Sequence, residues 1–180
     1  VNINGGTVNH SVYGGGNQAA YTPTSSQDCP AVSINNGTVT KDVFGGGLGA
    51  AAIVTGNPQV TIGDTDDDHT AAVGGSVYGG GDEGNVHGNP NVMVQNTNTT
   101  IAKNVFGAGK GRDNTFTCAE AMVGVNDEGA CEDPGSDDNK DKGTKVIINN
   151  GTIGTLENGN LVAETGNVYG GGEIGRVGWN

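Results

Sequence analysis

The stretch Val43-Phe44-Gly45-Gly46-Gly47 decides how this chain folds, because the chain writes the same phrase five times. The other copies are Val12-Tyr13-Gly14-Gly15-Gly16, Val77-Tyr78-Gly79-Gly80-Gly81, Val105-Phe106-Gly107-Ala108-Gly109 and Val168-Tyr169-Gly170-Gly171-Gly172. Successive copies stand roughly 30 residues apart, the length of one unit in a repeat protein. Only the last interval is much longer, because it absorbs insertions. An internal repeat sets the architecture, so it is read before composition or motifs.

Working outward, a second apolar residue precedes four of the phrases by four positions: Val8, Val39, Val73 and Ile101. Further upstream lies a strand-like beat, in Val1-Asn2-Ile3, Val32-Ser33-Ile34, Val60-Thr61-Ile62, Val92-Met93-Val94 and Val146-Ile147-Ile148. Apolar residues at i and i+2 share one face of a strand. Asn4-Gly5-Gly6-Thr7, Asn35-Asn36-Gly37-Thr38 and Asn149-Asn150-Gly151-Thr152 follow. They read as tight turns, since Gly and Asn tolerate positive φ. A closing beat ends at proline in Val54-Thr55-Gly56-Asn57-Pro58 and Val86-His87-Gly88-Asn89-Pro90, where a residue that cannot donate to a ladder suits a corner.

A unit of this length, with three or four short strands and no helical period, predicts an all-β parallel β-helix, or β-solenoid. It would have about five coils of roughly 30 residues, with loop insertions. The coils are expected at about 1–31, 32–59, 60–91, 92–145 and 146–180, and the insertions at about 17–30, 111–145 and 154–167. Equivalent beats would then lie about 4.8 Å apart along the axis. Valine should stack on valine and ring on ring, through Tyr13, Phe44, Tyr78, Phe106 and Tyr169. Asn4, Asn35 and Asn149 could form an amide ladder. Rival repeats fit less well. Propeller blades need longer units, and a leucine-rich scaffold needs more leucines than Leu48, Leu156 and Leu161.

Composition narrows the function classes. With 35 glycines, 33% hydrophobic residues and 4% aromatics, the 180 residues are poor material for a compact globule. Disorder would explain so much glycine, but it would not keep glycine in register with Val, Ile and Tyr/Phe. A formal charge of −12 argues against nucleic acid, whose binding rests on Lys and Arg neutralising phosphates. It suits a soluble extracellular surface and leaves room for divalent cations. No apolar run is long enough to span a bilayer, so membrane insertion is not expected.

Candidate sites are few. Asp64, Asp66 and Asp68 alternate as in hard-cation loops, and so do Asp137, Asn139 and Asp141. Neither run completes an EF-hand, and a solvated acidic turn is the competing reading of both. Calcium is the one cofactor the chain hints at. Cys118 and Cys131 share an insertion, and a disulfide between them would close a short loop worth roughly 3 kcal/mol. Two free thiols, or pairing of either with Cys29, remain open. Asn9, Asn36, Asn98 and Asn150 begin glycosylation triplets, two of them simply the repeat's turn. His10, His69 and His87 have no nucleophile motif beside them, and no catalytic residue is assigned.

The V-x-I-N-N-G-T-V beat together with V-[YF]-G-G-G resembles the glycine-rich tandem repeats of large bacterial cell-surface and adhesin-like proteins. The resemblance spans most of the chain outside the insertions. It implies a secreted parallel β-helical stalk or fibre at the bacterial surface, with no catalytic residues to carry over. The sequence stops partway through a repeat at Val177-Gly178-Trp179-Asn180, and neither end carries a polar capping repeat. The chain is therefore expected to be a window of a longer array or a subunit stacking head to tail on copies of itself, which makes a filament. Surface glycans are the second expected partner. The alternative function is a carbohydrate-binding or polysaccharide-cleaving β-helix, whose groove would need aromatics and paired carboxylates outside the repeat; Tyr21, Phe116 and Trp179 are the extra-repeat aromatics.

Overall fold

The computed structural model describes residues 1–24, 29–112, 121–124 and 143–174. Along them run β1 (Asn2–Val8) and β2 (Val12–Tyr13); β3 (Ala31–Val39), β4 (Val43–Phe44) and β5 (Val54–Thr55); β6 (Gln59–Ile62), β7 (Ala71–Val73), β8 (Val77–Tyr78) and β9 (Val86–His87); β10 (Asn91–Val94), β11 (Thr100–Ile101) and β12 (Val105–Phe106); then β13 (Lys145–Ile148), β14 (Thr152–Ile153), β15 (Leu156–Glu157), β16 (Asn160–Leu161) and β17 (Val168–Tyr169). No helix occurs among the described residues. The fold is an all-β parallel β-solenoid.

Equivalent beats lie on one another. One sheet runs β13-β10-β6-β3-β7-β11-β14 with β1 on β3, and a second runs β17-β12-β8-β4-β2. The register is like on like: Val32 on Val60 on Val92 on Val146 in the first sheet, and Val12 on Val43 on Val77 on Val105 on Val168 in the second. β5 pairs with β9 on a third face, where Tyr21 and Val123 attach by single bridges.

The core lies between the two large sheets, where Val32, Ile34, Val43, Val60, Ile62, Val77, Val92, Val94, Ile101 and Val105 are all buried. Fully burying such side chains contributes roughly 1.5–3 kcal/mol each. A smaller cluster of Val54, Val86, Ala108 and Val123 fills the third corner, with Tyr21 packed against it.

Two expectations need correction. The third face closes round only part of the stack, so about three turns of about 32 residues are seen rather than five. The turns expected at Asn4-Gly5-Gly6-Thr7 and Asn35-Asn36-Gly37-Thr38 are instead irregularities inside continuous strands. Gly6 (φ 80°) and Gly37 (φ 107°) supply the positive φ, and the β1–β3 register shifts there. The reason is that the neighbouring coil keeps the backbone paired, as when Gly37 N–H donates to Thr70 O at 2.8 Å. In the last coil Asn149-Asn150-Gly151 does separate β13 from β14.

Close approach explains the first glycine of the phrase. A Cβ on Gly14, Gly45, Gly79 or Gly107 would meet the carbonyl oxygen of Gly45, Gly79, Gly107 or Gly170 respectively, well inside 3.0 Å. No side chain fits there without prising the coils apart.

Residues assigned to insertions take several roles. Asn17 bridges to Leu48 and Tyr21 to Val54, so both belong to the stack. Ala121–Gly124 also joins it, because Ala121 N–H donates to Glu83 O and Gly124 N–H to Val86 O. β15 and β16 form an exposed antiparallel hairpin.

Candidate functional site

Period-2 alternation turns each valine of the phrase inward and each ring to the opposite face of its strand. The rings therefore form their own cluster, separate from the valine core. Tyr13, Phe44, Tyr78, Phe106 and Tyr169 stack in an unbroken column with centroid spacings of 5.0, 4.7, 4.9 and 4.9 Å and interplanar angles of 2°, 7°, 3° and 11°. The rung spacing of a parallel sheet imposes this distance, and aromatic pairs favour offset stacking within it.

A charged fringe runs along the rims of the rings. Tyr13 Oη donates to Asp82 at 3.3 Å, and Tyr78 Oη donates to Glu173. Lys110 Nζ lies 5.7 Å from the Tyr78 ring centroid and 3.5 Å from Asp42 Oδ2. Arg112 contacts Glu83 and stands 3.9 Å from Asp82. Burial pushes the Tyr78 hydroxyl far above its ordinary range, and the Glu173 carboxylate adds to the effect. Burial and then Asp82 raise Tyr13 in the same direction.

A polar ladder runs beside the rings, through the residue just before each valine. Ser76 N–H donates to Asp42 Oδ1 at 2.8 Å, Asn104 N–H to Ser76 Oγ at 3.3 Å, and Asn167 N–H to Asn104 Oδ1 at 2.9 Å. Sequence reading missed both this ladder and the charged fringe. The signal for the ladder was present, a polar residue before every valine of the phrase. The fringe had none, because its partners sit at different offsets in different coils.

Exposure rises at the last described rung of the column. Val105 and Phe106 are 0% and 6% exposed, whereas their counterparts Val168 and Tyr169 in the last rung are 47% and 44% exposed. Ile148 is also exposed, although the equivalent Val94 is fully buried.

A cleft of about 740 Å³ opens between the ring rims and the segment following β16. Asp42, Lys103, Lys110, Glu164 and Glu173 supply its charge. Most of these groups answer each other, Asp42 with Lys110 and Glu173 with Tyr78. The faces of Tyr78 and Phe106 are taken up by neighbouring rings, so only their rims reach the cleft, whereas Tyr169 has one ring partner and is 44% exposed.

The acidic stretch between β6 and β7 turns inward on itself. Asp64 Oδ2 lies 2.7 Å from His69 Nδ1, Asp64 Oδ1 accepts from Asp66 N–H, and Asp66 Oδ1 accepts from Asp68 N–H, both at 3.0 Å. The His69 hydrogen bond lowers the Asp64 pKa, and the same bond raises that of His69. Among the described residues, no three His, Cys, Asp or Glu side chains are grouped to hold a metal ion, and Asp64, Asp66 and Asp68 are held by these internal hydrogen bonds. Asp137, Asn139, Asp141, Cys118 and Cys131 lie outside the described residues, as do Phe116 and Trp179.

Of the expected amide ladder, Asn35 Nδ2 donates to Asn4 Oδ1 at 2.8 Å. Gln95 holds the next-to-last place and donates to Gly63 O at 3.2 Å. Other amide pairs appear at the proline corner, where Asn91 Nδ2 donates to Gln59 Oε1 at 2.8 Å.

No protein-family model matches the chain, and no curated protein or solved structure matches it either.

Proposed function

We propose that this chain is a structural protein, a subunit or segment of an adhesin-like fibre at the bacterial cell surface. Its β-solenoid ends stack head to tail. The observation that carries the reading is the uninterrupted ring column, stacked like on like across five rungs. An exposed parallel edge with apolar side chains is a template for further pairing, and a heterologous contact of that kind propagates without closing. The glycine-rich repeat and the charge of −12 support an extracellular setting. In this reading the β15–β16 hairpin projects from the stack as contact-making surface, towards surface glycans or other partners.

A polysaccharide-binding or -cleaving β-helix is the second reading, favoured by the cleft with Glu164 and Glu173 in its wall. It is the weaker one, because sugar platforms need open ring faces and both faces of Tyr78 and Phe106 in the cleft wall lie against neighbouring rings. Electron microscopy of the purified chain, with a polysaccharide hydrolysis panel alongside, separates the two. Filaments without hydrolysis support the fibre; dispersed monomers that cleave a glycan refute it.

A further inference from the structure

We infer that Asn158-Gly159, the tip of the β15–β16 hairpin, is a site of spontaneous modification, where Asn158 cyclises onto the Gly159 nitrogen and ends as aspartate or isoaspartate. The chain has four Asn-Gly pairs, Asn4-Gly5, Asn36-Gly37, Asn150-Gly151 and Asn158-Gly159. In the chemistry they share, the backbone nitrogen of the second residue attacks the side-chain carbonyl of the first. Glycine allows it because no Cβ shields that nitrogen. The fold treats two of these pairs in opposite ways. Asn36 lies in an inner rung and Asn158 lies off the stack, so neither setting depends on what adjoins the first or last rung. The inference is independent of the fibre reading.

Asn36-Gly37 is closed to the reaction. Gly37 N–H donates to Thr70 O at 2.8 Å, and Asn36 Oδ1 accepts from Thr70 N–H at 3.2 Å. Thr70 therefore holds both the nucleophile and the group it would attack. The Gly6 carbonyl closes the other side, 2.6 Å from where a Cβ on Gly37 would stand.

Asn158-Gly159 has none of these restraints. Leu156 pairs with Leu161 and Glu157 with Asn160, which leaves Asn158 and Gly159 as a two-residue turn. Their φ values of 52° and 81° are those of a type I′ hairpin. Such a turn bonds its flanking residues to each other and leaves its second central N–H out of the ladder. Accordingly, Gly159 N–H meets no backbone acceptor among the described residues, and the Asn158 side-chain amide has no partner there either. Both residues are exposed, and nothing lies within 4 Å of a Cβ built on Gly159. The hairpin is a two-stranded sheet of its own, and a lone hairpin is marginally stable, so its tip reaches the attacking geometry at little cost.

The step needs only water and base. Base removes the Gly159 amide proton, the nitrogen bonds to Asn158 Cγ, and the side-chain nitrogen leaves as ammonia from a five-membered imide. Water opens the imide at Cγ to give aspartate, or at the backbone carbonyl to give isoaspartate. Either product places a new carboxylate beside Glu157. Isoaspartate also adds a methylene to the backbone, which unmakes the two-residue turn and with it the Leu156–Leu161 pairing.

The test incubates the folded chain in mildly alkaline buffer and follows each Asn-Gly pair by peptide mapping, with fragmentation that distinguishes isoaspartate from aspartate. The same incubation in denaturant gives the reference rates. Folded, position 158 should convert about tenfold or more faster than position 36, because Gly37 must first break its bond to Thr70. In denaturant the two should convert at comparable rates. Conversion at 158 as slow as at 36 in the folded chain would overturn the inference. So would a preference for 158 that persists undiminished in denaturant, since the fold would then not be its cause.

Discussion

Phe44→Ala tests whether the ring column holds the solenoid together or merely decorates it. Phe44 is 1% exposed and lies between Tyr13 at 5.0 Å and Tyr78 at 4.7 Å. Truncating a buried phenylalanine costs about 3–5 kcal/mol. Two comparisons partition that loss. Phe44→Leu keeps most of the apolar burial and forfeits two ring pairs, at about 0.5–1.5 kcal/mol each. Tyr169→Ala removes a half-exposed ring with one partner, so the isolated chain should lose only about 1–2 kcal/mol. Denaturant unfolding followed by circular dichroism gives the free energies, and the near-ultraviolet band reports coupling between the stacked rings. The expected order of destabilisation is Phe44→Ala, then Phe44→Leu, then Tyr169→Ala. Should Phe44→Ala cost no more than Tyr169→Ala, the column would be an ornament on the valine core, and the argument from ring to fibre would lose its footing.

Alkaline titration should show Tyr78 silent while the chain is folded. Its folded pKa is raised, so its contribution is complete below the ordinary value of 10.0 and is lost as pH rises past it; tyrosinate absorbance from Tyr78 that develops before unfolding would contradict the burial. For the Asp64–His69 pair the signs are opposite. The His69 contribution is complete below its ordinary 6.5 and is lost as pH rises through its raised folded value, while that of Asp64 is complete above 3.8 and is lost as pH falls through its lowered one. The His69 ring should thus titrate above 6.5 by NMR, and Asp64→Asn should bring it back. Lys110→Met should cost no more than about 1 kcal/mol, because its pair with Asp42 is partly solvated; a larger loss in thermal unfolding would mean that the cation–π contact over Tyr78 outweighs the ion pair. Gly79→Ala should destabilise the chain by about 1–3 kcal/mol or more, since both the Gly107 carbonyl and Pro90 stand where its Cβ would go. A neutral result in thermal unfolding would show that the coils can part at no cost.

Order along the sequence was enough to determine the stacking. The apolar beats before each phrase and the recurrence of Val-Tyr/Phe-Gly fix which residues share a rung, and like-on-like register follows once the coils are parallel. The ring column was legible for the same reason: alternation along a two-residue strand leaves Tyr13, Phe44, Tyr78, Phe106 and Tyr169 no other common face. Tertiary structure alone decided what depends on neighbours in space. Whether an Asn-Gly pair becomes a turn or a bulge depends on whether the adjacent coil still pairs with it, as Thr70 does with Gly37. The Asp64 carboxylate takes up His69 and a backbone amide, partners that its place in an acidic run did not announce. Partners such as Tyr78 and Glu173 are 95 residues apart in the chain and meet only because the rungs that carry them stack. A repeat encodes what sits above what; it does not encode how side chains at unequal offsets reach across the rungs.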